Sequence, residues 1–144
     1  MYVDAQLLFS DAQAVTATAV STNVVDLRAV RDMGLGEPLY IVCIVDVAFT
    51  DGGSDTTIAV SLETDSDEAF GSATVQGTMT TFAALTAAGA TQMIFPIPPS
   101  WMNERYARLR YTTANGNLTT GSFTAFIAIG VQKATKYPDD ITVS

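Results

Sequence analysis

The sequence predicts an all-β protein, a β-sandwich or jelly roll with an extended N-terminal arm, and three observations carry that prediction. Apolar and polar residues alternate with period two at Ile58-Ala-Val-Ser-Leu-Glu63 and again at Phe123, Ala125, Ile127, Ile129 and Val131, the spacing that turns one strand face to a core. Turn chemistry separates such runs, most clearly at Asp51-Gly-Gly-Ser-Asp55 and Asn115-Gly116. Charged residues make up 15% of the chain while the hydrophobic share is 48%, and Thr and Val fill positions that suit a pleated, half-buried surface. A barrel is the alternative closure of the same strands.

At 144 residues the chain falls in the range of one domain with one core. Residues 1–20 read as the arm and 21–144 as a single sandwich domain. The arm carries one apolar cluster, Leu7-Leu8-Phe9, among small residues, and is expected to order only on docking. Val24-Val25-Asp-Leu27 leads into a first strand, and the glycines and proline of Gly34-Leu-Gly-Glu-Pro38 discourage a long helix there.

From Leu39 to Phe49 the run is almost continuously apolar, as expected of a central strand buried on both faces. With Ile58–Glu63 it reads as a hairpin about the Asp51–Asp55 turn. Thr74–Met79 and Gln92–Ile97 are shorter strands flanking Phe82–Gly89, a brief helix ended by glycine. Pro96, Pro98 and Pro99 interrupt any sheet ladder. Tyr106–Thr112 alternates again, and Asn115-Gly116 predicts a second hairpin into the long final strand.

Composition and motifs remove several function classes. There is no histidine, so the usual general base and the Ser-His-Asp and Cys-His arrangements are missing. One cysteine without imidazole cannot fill a structural zinc site, and Cys43 sits in an apolar run as a small hydrophobe. Gly34-Leu-Gly36 is followed by Glu-Pro rather than by a third glycine opening a helix, so no phosphate cradle is expected. The cluster Glu63-Thr-Asp-Ser-Asp-Glu68 lacks the glycine and distal glutamate of a calcium loop and reads as a solvated loop. The expectation is a protein without enzymatic activity and without a cofactor or metal.

Net charge is −8, and nine acidic residues but no Lys or Arg fall between Glu37 and Glu104, which disfavours nucleic acid as a partner. Arg105, Arg108 and Arg110 are the dense basic group; Arg108 and Arg110 share one strand face and are expected to pair with carboxylates across the sheet. No apolar run reaches the length of a membrane span, and Met-Tyr-Val-Asp lacks the regions of a signal peptide. Trp101 and Tyr137 lie beside prolines in irregular segments, where an aromatic either anchors a partner or tucks over a core edge.

Three segments, Leu8-Phe-Ser-Asp-Ala-Gln-Ala-Val-Thr-Ala17, Ser21-Thr-Asn-Val-Val-Asp-Leu27 and Val60-Ser-Leu-Glu-Thr-Asp-Ser-Asp-Glu-Ala-Phe70, resemble the small jelly-roll decoration or cement proteins of podovirus-like tailed bacteriophages, the Bordetella phage type. The resemblance implies a protein made in the host bacterial cytoplasm and carried on the outer capsid surface of the virion. There it would bridge major capsid protein subunits against internal DNA pressure. An arm of about 20 residues spans up to about 65 Å when extended, and Leu7, Leu8, Phe9, Trp101 and Tyr137 are the candidate contacts. Self-association as a dimer or trimer is also expected. A glycan- or host-binding module, and a low-copy head-completion or tail component, are the competing readings.

Overall fold

The computed structural model describes residues 4–28, 38–83 and 92–129. Among them a single 3₁₀ turn at Ala5–Leu7 precedes nine strands: β1 Leu8–Ala14, β2 Ala19–Val20, β3 Val25–Asp26, β4 Leu39–Thr50, β5 Thr57–Asp65, β6 Thr74–Ala83, β7 Gln92–Ile97, β8 Tyr106–Ala114 and β9 Thr120–Ile129. A second 3₁₀ turn, Pro99–Trp101, joins β7 to β8.

The strands form two antiparallel sheets, ordered β1-β9-β4-β7 in sheet A and β2-β8-β5-β6 in sheet B, with β3 also paired to β8. Strands β2 and β3 are one edge strand broken by a jog. At the break the Ser21 N–H donates to the Leu109 carbonyl at 2.8 Å, and the Leu109 N–H donates to the Ser21 hydroxyl at 3.1 Å. Counted so, the eight strands alternate between the sheets except at β5 and β6, which are consecutive in sheet B, and the two sheet orders are those of a jelly roll. The all-β sandwich expected from period-two patterning is what the chain forms.

Side chains from both inner faces fill the space between the sheets. Ile41, Cys43, Val45 and Phe49 of β4 and Phe123, Ala125 and Ile127 of β9 meet Ile58, Val60 and Leu62 of β5 and Leu109 and Tyr111 of β8 in one core. Tyr111 and Phe123 stack across the gap with ring centroids 5.1 Å apart, and Phe49 lies 4.6 Å from Phe123. Phe49 also lies against the backbone of Gly121, where a Cβ would meet its Cγ at 2.8 Å and φ is 144°. Only glycine combines that close approach with that backbone angle.

Two expectations change. Residues 8–20 are not a free arm, because β1 pairs with β9 from Leu8↔Phe126 to Ala14↔Ser122 and both Phe9 and Val15 are fully buried in the core. A bulge places Phe9 and Ser10 together on the inner side, and the Ser10 hydroxyl joins the Tyr111 hydroxyl at 2.7 Å. Apolar residues scattered among small ones read as an arm because the bulges at Phe9 and near Ala12 break the period of two.

The predicted hairpins are the second correction. β4 and β8 lie in different sheets from β5 and β9 respectively, so Asp51–Thr56 and Asn115–Thr119 arch from sheet to sheet instead of turning within one. The two arches are tied side by side, with the Asn115 amide donating to the Asp55 carbonyl at 3.2 Å and the Thr119 N–H to the Thr50 carbonyl at 2.7 Å. β5 and β6, joined through the acidic segment 66–73, are adjacent and paired. Pro96 is accommodated because β7 is an edge strand and needs no donor on its open side. Of the brief helix expected at Phe82–Gly89, Phe82 and Ala83 end β6 and the rest lies outside the described residues, as does Val131.

Candidate interaction surface

The outer faces of the two sheets are built from different residues. On sheet A the neighbours Leu8, Phe126, Val42 and Ile94 form a row across all four strands. Val42 falls between the core residues Ile41 and Cys43, and Phe126 between Ala125 and Ile127, so both side chains point away from the core. They are nevertheless 0% and 1% exposed. Tyr40, Ile44 and Ala128, half-buried, flank the row, and sheet A is therefore apolar on both faces over the first half of β4.

Sheet B carries charge on its outer face. Glu63 of β5 lies opposite Arg108 of β8, with Arg110 two residues on, and its carboxylate accepts from Arg108 Nε at 2.7 Å and Arg110 Nε at 2.5 Å. The Glu63 side chain is 4% exposed against 15% for Arg108 and 40% for Arg110, so the carboxylate lies beneath the two guanidiniums. The Arg108 guanidinium also sits 4.2 Å over the Phe70 ring. Arg105 instead closes a bidentate pair with Asp26 through Nε and a terminal nitrogen at 2.9 and 3.0 Å. That hydrogen-bonded guanidinium holds the Asp26 carboxyl below its ordinary value and raises Arg105 in turn. The expected pairing of the arginines with carboxylates across the sheet is thus found.

The acidic segment after Glu63 is organised by its own backbone. Asp65 accepts from the N–H groups of Asp67 at 3.0 Å and Ser72 at 2.9 Å, which lowers its pKa, and Asp67 accepts from the Ala69 N–H at 3.1 Å. Among the described residues no three His, Cys, Asp or Glu side chains gather as a metal site. Cys43 is buried between the sheets, and burial pushes its thiol up to about 12, which suppresses the reactive thiolate. An open cleft of about 240 Å³ near the N-terminal 3₁₀ turn is lined by Gln6, Val24, Asp26 and Arg28.

Of the five residues singled out from sequence, the four among the described residues do not converge. Phe9 is fully buried and offers nothing to a partner; Leu7 is half-buried against the core, and Leu8 is half-buried in the outer row of sheet A. Trp101 lies at the opposite edge of the sandwich, over Gly77 of β6, where a Cβ would fall 2.6 Å from its Cζ2. It packs partly buried against the core. Tyr137 lies outside the described residues. The outer row of sheet A was missed because a residue facing outward from an apolar run has no polar neighbour to mark it. The two arginines were visible from their spacing alone.

No curated protein matches the sequence. A family model described as Bbp16 matches residues 9–127, from the second residue of β1 almost to the end of β9, in agreement with a bacteriophage protein. That match spans most of the sandwich, and the chain belongs to the Bbp16 family.

Proposed function

We propose that the chain is a non-enzymatic capsid decoration, or cement, protein that binds the outer surface of a phage head and bridges major capsid protein subunits. The family match over residues 9–127 is the observation that carries this reading. A two-sheet sandwich with interlocked aromatics suits the role, because a brace must resist deformation, and close-packed cores transmit strain rather than absorb it. With residues 8–20 part of the sandwich, bridging falls to the sheet faces and edges instead of to a long arm. Each contact then has ordinary interface size, and many symmetry-related copies acting together make shell opening rare.

Neither nucleic acid nor a cofactor enters this reading. Self-association as a dimer or trimer belongs to it, and light scattering that finds a monomer at every concentration would count against that part. The glycan-binding alternative relies on an exposed aromatic, whereas Trp101 is partly buried against the core over Gly77, which favours the cement reading.

The decisive experiment is cosedimentation of the purified protein with capsids of its own phage that lack it, followed by heating of the particles. Saturable binding at high copy number with a raised rupture temperature is expected. Absence of binding would refute the cement role.

A further inference from the structure

The outer face of sheet B holds two guanidiniums for one carboxylate. Glu63 engages Arg108 and Arg110 through one nitrogen each, both Nε, whereas Arg105 commits Nε and a terminal nitrogen to Asp26. The terminal nitrogens of Arg108 and Arg110 therefore have no acceptor among the described residues. A guanidinium presents a planar fork that a second carboxylate can take end-on.

The charge around this fork is one-sided. From the Ser61↔Arg110 pair toward the far end of β5 and β8, the outward residues are Ala59 and Thr57 on β5 and Thr112 and Ala114 on β8. Ser61 and Thr78, hydroxyl to hydroxyl at 3.1 Å, lie beside them. None of these carries charge. Asp26, Asp65, Asp67 and Glu68 all belong to the other half of this side, where Asp65, opposite Tyr106, and Asp67 already accept backbone N–H groups and Asp26 is closed by Arg105. In a chain of net charge −8, this is a local excess of one positive charge next to uncharged hydroxyl-bearing strands.

We infer that Arg110, steadied by Glu63 and backed by Arg108, receives a carboxylate from an acidic segment of a partner protein docked on the outer face of sheet B. Arg110 is 40% exposed, open enough to be reached. Its Nε contact to buried Glu63 fixes the plane of the fork, so little rotamer freedom remains to be lost on docking. Under the cement reading the partner is the capsid surface, and the inference rests on that reading only for the identity of the partner.

The test uses two probes on the intact chain: poly-L-glutamate, titrated calorimetrically at low and physiological salt, and capsids lacking the protein, by cosedimentation. Wild type is expected to bind poly-L-glutamate, with Arg110→Ala and Arg110→Gln weakening both interactions about tenfold, the loss of one charge-assisted contact. Arg28→Ala, which removes an exposed charge elsewhere, should change either by less than about twofold, near the level of a screened surface charge. Thermal melts of each variant verify the fold, since Arg108 still holds Glu63 when Arg110 is replaced. Failure of wild type to bind poly-L-glutamate, or equal effects of the Arg110 and Arg28 variants on it, would overturn the inference. Inorganic phosphate displacing poly-L-glutamate at lower concentration than free glutamate would overturn the carboxylate assignment in favour of a phosphate ligand. Arg110-dependent poly-L-glutamate binding without capsid binding would refute the cement role and leave the carboxylate site standing. Capsid binding indifferent to Arg110 would do the reverse.

Discussion

Sheet A and sheet B share one core but treat their outer faces in opposite ways. Sheet A sets Leu8, Phe126, Val42 and Ile94 side by side and shields the middle two from solvent, whereas sheet B covers Glu63 with Arg108 and Arg110 and leaves threonines around them. The first face is held by exclusion of water around Phe126 and Val42, and its one charge on β4, Asp46, lies exposed in the second half of the strand, where it accepts from the Thr124 hydroxyl at 2.7 Å. The second is held by directed contacts between ions, which individually add little at a surface but fix the orientation of what they touch. A sandwich arranged this way is expected to unfold when the first face is disturbed and to keep its fold when the second is altered.

The sharpest way to break that contrast is Val42→Asp, which puts an unpaired carboxylate at a position of 0% exposure. About 4–5 kcal/mol is expected to be lost, enough to leave a marginal domain largely unfolded. The charge-matched change Thr112→Asp, on the exposed face of sheet B, should stay within about 0.5 kcal/mol. Urea melts of the pair settle the comparison, and equal midpoints would show that the outer face of sheet A is open to water.

Next in size is Gly121→Ala. The added Cβ meets the Phe49 ring and forces φ of 144° on a residue with a side chain, at a cost of about 3 kcal/mol from overpacking and backbone strain together. Phe49→Leu in the same background relieves the clash but not the angle, so partial recovery is expected in the double variant. Full recovery would mean that the angle costs nothing, and no recovery that the ring is not the obstacle.

On sheet B the central effect is smaller. Glu63→Ala removes the shared carboxylate from beneath two arginines, of which Arg108 is 15% exposed, and about 2 kcal/mol is expected for the acceptor lost to a partly buried cation. Arg110→Ala, at 40% exposure, should cost less than about 1 kcal/mol. The ordering, Glu63 above Arg110, is what distinguishes a carboxylate holding two cations from two independent surface pairs. A reversed ordering in chemical denaturation would make Arg110 the structural member.

The same contrast explains which parts of the molecule were legible in the sequence. Strand β5 announces itself because one face is apolar and the other is not, β9 does so through the period-two spacing of Phe123, Ala125 and Ile127, and Arg108 and Arg110 were placed together by spacing alone. β4 was recognised as central, but its outward Val42 was invisible, since a run apolar on both faces carries no phase. β1 was lost for the opposite reason: two bulges spoil its alternation, and burial of Phe9 and Val15 depends on pairing with β9 more than a hundred residues away. The turns at Asp51–Thr56 and Asn115–Thr119 were located correctly and misread in destination, because Asp-Gly-Gly and Asn-Gly specify a reversal of the chain and say nothing of which sheet receives the next strand. Trp101 could be paired with Gly77 only in three dimensions.

Acid is the mildest challenge to the comparison, and it reaches sheet B first. The carboxyls held below their ordinary value of 3.8 are Asp26 of β3, Asp65 of β5 and Asp51 at the mouth of the β4–β5 arch. Asp51, lowered to about 2, accepts from the Thr56 side chain and from backbone N–H groups of its loop. Because each folded-state value lies below the unfolded one, the unfolded chain binds more protons in between. Their contribution is therefore complete above about pH 5, shrinks as pH falls below the unfolded value of about 3.9, and vanishes below the folded values. Thermal melts from pH 5 to pH 2 should show a continuous decline in midpoint. Asp51→Asn cannot titrate but keeps an acceptor oxygen, and it should lower the midpoint at pH 5 while flattening the decline between pH 4 and pH 2. A decline as steep as that of wild type would remove Asp51 as a source of acid sensitivity and leave it to Asp26 and Asp65 of sheet B.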